Sequence, residues 1–128
     1  FTKVGLSGGD MGAAYLLPRI VGAGRATQLL MLGDTIDSAT AQEYGLASEL
    51  VADDELDTAI ERLARRLADG PTLAYAQTKS LITRELDMPM SAAVELDAMT
   101  QALLMTSSDH AEFHAAFNAK RKPHWTGQ

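Results

Sequence analysis

The sequence predicts an α/β chain that is mostly helical, with a few short strands. Apolar residues recur at helical spacing over most of the chain. Only residues 1–6 and Ser48–Val51 have the look of strands, and Gly33, Gly45 and Gly70-Pro71 punctuate the changes of pattern. Two isolated strands cannot make a stable sheet, because each leaves backbone donors and acceptors without partners. Their sheet partners are expected outside these residues or on another chain.

In order along the chain, residues 1–6 alternate weakly and predict a short strand leading into the corner SGGDMG. Asp10 suits the N-cap of a helix over residues 11–21, with Leu16, Leu17 and Ile20 apolar and Pro18 as a kink or break. A second helix is predicted over about 23–32, ending at Gly33, then a short helix from Ser38 to Tyr44 stopped by Gly45, then the strand near Ser48–Val51. Leu56, Ile60, Leu63 and Leu67 recur at i, i+4, i+7 and i+11, Asp53 or Asp54 can cap the start, and Gly70-Pro71 marks the stop. Further helices are predicted over 72–87, with Leu81, Ile82 and Leu86 inward, and over 91–106, with Leu96, Met99 and Leu103 as a stripe. The last begins at Ser108-Asp109, where Asp109 and Glu112 have capping-box spacing and Phe113 and Phe117 lie one turn apart. There is no internal repeat and no long linker. The reading divides the chain into residues 1–52, carrying the corner, and residues 53–128, a helical oligomerisation region.

Composition narrows the function classes. The 128 residues are 46% hydrophobic and 22% charged, the range of one soluble globular domain. Eleven basic against seventeen acidic residues give a formal charge of −6, which argues against a nucleic-acid or anionic-membrane surface. Cysteine is absent, so disulfides, thiolate nucleophiles and cysteine-rich zinc sites are excluded. No apolar run reaches membrane-spanning length and no signal-peptide pattern opens the chain, so a cytoplasmic protein is expected.

The residues offer three places for chemistry, each with a structural alternative. At the corner, a strand, a tight turn and a helix N-terminus meet, a common place to bind or polarise a ligand, and Asp10 stands there as either a proton-transfer group or a helix cap. Gly8 and Gly9 either supply turn angles or let the backbone approach a substrate, and Leu6, Ser7 and Met11 either line a pocket or, for Leu6 and Met11, join the core. The stretch is not a phosphate loop, since no Lys-Ser/Thr follows the glycines. At the C-terminus, Phe117, Lys120, Arg121 and Lys122 make the one basic cluster on an acidic chain. An aromatic and a cation suit a nucleotide, and a solvated helix end is the alternative. His110 and His114 share a helix face, but Glu112 points about 200° away from them and His124 is no obvious third ligand, so no metal is expected.

The run Leu17-Pro18-Arg19 with Gly22, Ala26-Thr27-Gln28-Leu29 through Gly33, Ile36-Asp37-Ser38 and Gly45-Leu46 resembles the middle of the crotonase superfamily, the enoyl-CoA hydratase/isomerase family. The stretch from Ser108-Asp109 through Ala116-Phe117 to Lys120-Arg121-Lys122-Pro123 resembles that family's ending. The resemblance implies the second half of a crotonase (ClpP/crotonase-like) fold, with the spiral of ββα repeats and both oxyanion-hole donors expected in a first half outside these residues.

The resemblance also implies an acyl-CoA substrate, no metal or redox cofactor, and a homo-oligomer, either a trimer or a dimer of trimers. Family enzymes stabilise an enolate with two backbone N–H groups, one such donor being worth about 3 to 4 kcal/mol of barrier. A carboxylate then moves the proton. Where the hydratase pattern places its second glutamate, four residues before the glycine matching Gly5, this chain has Phe1, so water addition by paired glutamates does not carry over. Asp10 lies close to the aspartate of the V-G-L-x-x-D-x-G corner of dienoyl-CoA isomerases, with one residue more here, and is the implied catalytic group. Leu6, Ser7, Gly8 and Met11 then border the acyl end, while Phe117 and Lys120 match positions that approach the adenine and phosphates of CoA. The reading from another class is a catalytically silent helical assembly module. A zinc hydrolase on His110 and His114 is a third.

Overall fold

The computed structural model describes all residues from 1 to 128. Its regular structure is entirely helical: α1 (Ala13–Val21), α2 (Ala23–Leu32), α3 (Ser38–Glu43), α4 (Leu56–Ala68), α5 (Thr72–Glu85), α6 (Met90–Leu104) and α7 (Ser108–Asn118), with 3₁₀ turns at Thr2–Val4, Asp10–Gly12 and Asp53–Glu55. The chain divides into two units, Phe1–Leu56 and Asp57–Gln128.

Neither expected strand forms. A strand needs a neighbour for its backbone groups, and within its unit residues 1–6 find none. They satisfy one another instead: the Val4 and Leu6 N–H groups donate to the Phe1 carbonyl at 3.0 and 3.1 Å, and Gly5 closes the turn. Ser48–Val51 is irregular for the same reason.

In the first unit α1 starts at Ala13, because Met11 (φ 51°) and Gly12 (φ 87°) are both left-handed and hold the corner out of the helix. Gly12 takes that conformation without the steric cost that Met11 bears. Pro18 forfeits one backbone amide but does not break α1, which runs on to Val21 and stops at Gly22. α2 ends at Gly33 as expected, and α1 packs on α2 with Val21 and Ala26 buried. Asp37 caps α3, accepting the Thr40 N–H at 2.8 Å, and the Thr40 hydrogen bonds hold its carboxyl below the ordinary 3.8. Arg25 of α2 lies over the Tyr44 ring, 4.2 Å from its centre, and pairs with Glu43 of α3.

In the second unit, α5 packs on α6. The helices fall close to where the apolar spacing puts them, but the stripes do not face a core. Leu56, Ile60, Leu63 and Leu67 are all about half exposed, and of Leu81, Ile82 and Leu86 only Leu81 is even half-buried. Met99 and Leu103 lie open as well. A groove of about 770 Å³ runs along this surface between Leu67, Tyr75, Lys79 and Ile82. No helix is long and apolar enough to cross a membrane.

Only three apolar side chains, Val21, Ala26 and Ala116, are buried in the whole chain. Its accessible surface is 9830 Å², where a folded monomer of 13.7 kDa has about 6,600 Å². The excess, roughly 3,200 Å², is about twice the total area of a standard protein–protein interface. Residues 1–128 expressed alone are therefore expected to self-associate and to bind a hydrophobic dye such as ANS, with a broad thermal transition. Sedimentation and calorimetry check this, and a dye-silent monomer with a sharp cooperative transition would contradict it.

Candidate functional site

The corner is built on Gly8. A Cβ there would run into the Leu30 carbonyl oxygen of α2 and lie 3.1 Å from its carbon, so the absence of a side chain lets the turn lie directly on α2. Neither Gly8 nor Gly9 has a positive φ. Gly8 thus serves close approach to protein backbone, and not the turn angles expected of it. Ser7 Oγ accepts the Gly9 N–H at 3.1 Å and tightens the bend.

Asp10 does not cap α1. The N-cap position belongs to Gly12, and the left-handed pair Met11-Gly12 separates the Asp10 carboxylate from the first free amides of the helix. No hydrogen bond or ion pair engages that carboxylate. It lies instead at an open cleft of about 440 Å³ bordered by Phe1, Leu6, Ser7, Gly9 and Asp10. Leu6 and Met11, which could have joined the core, are 62% and 94% exposed. The structure gathers Leu6, Ser7 and Asp10 around one cleft, and Met11 stands beside it in sequence with its side chain in solvent.

At the other end of the chain, α7 is capped by Ser107, whose Oγ accepts the His110 N–H at 3.1 Å. Asp109 and Glu112 do not form the capping box their spacing suggests. Both are turned to the segment after the helix. Asp109, buried, accepts from the Thr126 N–H (2.7 Å), the Thr126 hydroxyl (3.1 Å) and the Gly127 N–H (3.0 Å). Glu112 takes both arms of the Arg121 guanidinium, at 2.5 and 2.9 Å, and the His124 N–H at 2.7 Å. Ser108 Oγ donates to the Gln128 carbonyl at 2.7 Å. Residues 122–128 are thereby folded back along α7, and Trp125 closes a cavity of about 230 Å³ with Leu73, Leu104, Met105, His110 and Phe113.

The basic cluster divides in consequence. Arg121 is spent on Glu112, which raises its pKa, and Arg121 also donates to the Lys122 carbonyl. Phe117, stacked on Phe113 with ring centres 6.0 Å apart, is 70% exposed and not a core residue. Lys120 occupies the left-handed position after α7 (φ 52°), where glycine is usual and another residue costs roughly 1–2 kcal/mol. The Lys120 N–H donates to the Phe117 carbonyl (3.1 Å) and the Arg121 N–H to the Ala116 carbonyl (3.0 Å), the paired bonds of a Schellman turn.

His110 and His114 meet each other, Nε2 to Nε2 at 3.3 Å with rings edge to face. In the second unit the sequence reading also missed Glu85, whose carboxyl is pushed up by burial and then by the neighbouring Asp97. One of its oxygens is buried without a partner. Neither Glu85 nor the Asp109–Glu112 clamp has a local signal, because each partner lies at least nine residues away in sequence.

The enoyl-CoA hydratase/isomerase family profile matches residues 1–128. Among curated proteins the chain is 35% identical over its full length to a 1,2-epoxyphenylacetyl-CoA isomerase of Escherichia coli K12, and 30% identical to a trans-2-decenoyl-[acyl-carrier-protein] isomerase of Streptococcus mutans, covering 48% of each. A solved structure from Streptomyces coelicolor A3(2), provisionally named an enoyl-CoA hydratase, superposes on all of the chain with a TM-score of 0.97 and 68% identity, the match taking up 46% of that protein. The fold is the crotonase fold. The chain spans about half the length of the curated relatives it matches.

The clamp gives a pH signature with a definite sign. Hydrogen bonds from Arg121 and from the His124 N–H hold Glu112 at about 2, below its ordinary 4.5, and the backbone N–H of Thr126 likewise lowers Asp109. Both groups bind protons more tightly once the tail is released. Their contribution is therefore complete above about pH 4.5 and is lost as the pH falls toward 2. Fluorescence of Trp125, the one tryptophan, is expected to stay constant from pH 7 to 5 and to report tail release in acid, with a shallower transition in Glu112→Gln. An acid transition unaltered by that substitution would contradict the assignment.

Proposed function

The chain belongs to the enoyl-CoA hydratase/isomerase family, and on that premise we propose that a family-length protein carrying it hydrates an enoyl-CoA thioester or shifts its double bond. The thioester oxygen takes up negative charge as an enolate, held by preorganised backbone N–H donors. Asp10 is the group that moves the proton: in the double-bond shift it takes one from carbon and returns it to another carbon of the enolate, and in hydration it takes one from the attacking water and delivers it to the α-carbon. Leu6, Ser7, Gly8 and Met11 border the acyl end. Phe117 and Lys120 meet the adenine and phosphates of CoA, the exposed ring by stacking and the ammonium by charge. The protein acts as a homo-oligomer.

The observation that carries this reading is the unengaged Asp10 carboxylate at an open cleft, on a turn locked in place by Gly8. A carboxylate occupied in capping would be poorly disposed to exchange protons. The isomerase character of two of the relatives points the same way. The open apolar faces of α4 and α6 favour a second reading for residues 1–128 in isolation, that of a silent assembly module.

Asp10→Asn tests the first. It keeps size and removes the base, so in a family-length enzyme turnover on enoyl-CoA substrates is expected to fall roughly 10²-fold or more. Because no cap is lost, both Asp10→Asn and Asp10→Ala are expected to change stability by less than about 0.5 kcal/mol. Near-normal turnover of Asp10→Asn, measured by steady-state kinetics, would remove Asp10 from the chemistry.

A further inference from the structure

Lys120 is a side chain where the backbone would rather have none. It occupies the left-handed position of the turn after α7, and two residues of the tail that follows it, Arg121 and His124, are both held by one residue, Glu112. Arg121, the strongest phosphate ligand by sequence, is withdrawn into that arrangement: its Nη1 and Nη2 lie 2.5 and 2.9 Å from the two Glu112 oxygens. Its backbone N–H is committed to Ala116, and Glu112 also holds the His124 N–H at 2.7 Å. Lys120 is thus flanked by a closed Schellman turn on one side and a clamped tail on the other. Lys120 follows the exposed Phe117 by three residues, and its backbone is fixed by the turn.

We propose that Glu112 is a positioning residue for Lys120, acting through Arg121 to hold the left-handed turn that sets the ammonium beside Phe117. The proposal rests on the reading that Phe117 and Lys120 meet the nucleotide end of coenzyme A. It assigns the two cations different work: Lys120 meets the phosphate, and Arg121 is a strut.

The sign of the effect tells positioning from electrostatics. Glu112 is an anion near the proposed site of a polyanion, so by Coulomb's law alone its removal would tighten binding. Positioning requires the reverse.

The test uses a family-length protein carrying these residues and coenzyme A itself, with affinity from titration calorimetry, tail docking from acrylamide quenching of Trp125, and helix content from circular dichroism. Glu112→Gln is expected to weaken binding roughly tenfold, about the value of one charge-assisted contact, with Trp125 more quenchable and helix content kept. Arg121→Gln, breaking the same pair from the other side, is expected to do likewise. Lys120→Ala is expected to weaken binding while leaving Trp125 protected, and to flatten the dependence on salt. Should Glu112→Gln free the tail and leave the affinity unchanged or tighter, while Lys120→Ala still weakens it, the positioning role is overturned and the nucleotide-end reading stands. Unchanged affinity in Lys120→Ala, or no binding by the unaltered family-length protein, overturns that reading and the positioning role with it.

Discussion

Apolar surface without a partner is the constraint on which the rest of this structure depends. Most of the stability of a helix in a protein comes from burying one face. Here the faces of α4, α5 and α6 are formed but not covered, and Leu56, Ile60, Leu63, Leu67, Ile82, Met99 and Leu103 all keep half or about half of their surface in solvent. The helices are written locally, by spacing and by their ends. Covering them is a task for chain or subunits beyond these residues, in keeping with relatives about twice as long.

Two local locks stand out against that background, and the residues proposed for the site sit on them. At the corner, Gly8 lets the turn rest on the Leu30 carbonyl, and the left-handed Met11-Gly12 pair then throws Asp10 clear of α1. At the far end, Asp109 and Glu112 tie the tail to α7 through backbone amides and the Arg121 guanidinium. Charge-assisted bonds of this kind are stronger than neutral ones and do not need a large core to hold them. Both locks add polar or steric precision to the helices that carry the few buried apolar side chains, Val21, Ala26 and Ala116.

What was legible in the sequence follows the range of the forces involved. The limits of α2 could be read to the residue because Gly22 and Gly33 bracket one apolar period, and the cap of α3 was implicit in Ile36-Asp37-Ser38. The strands at residues 1–6 and Ser48–Val51 were misread because strand formation depends on a partner, and alternation says nothing of whether one is present. For Asp10 the sequence leaves cap and proton-transfer group open, because its spacing from α1 allows a cap; two left-handed residues, one of them a methionine that seldom takes that conformation, move it off the helix. The family motifs were visible in their order and spacing. The partition between Lys120 and Arg121 was not, since it turns on Glu112, nine residues before the arginine it holds.

Local locks hold the corner and the C-terminal tail, while the faces of the helices between them lie open. Hydrogen exchange of residues 1–128, followed amide by amide, tests this directly. The account predicts the slowest exchange in α1 and α2 against the corner and in α7 with the Thr126 and Gly127 amides, and fast exchange along α4 and α6. Protection of α4 and α6 equal to that of α7 would contradict it, for it would mean that these faces are already covered.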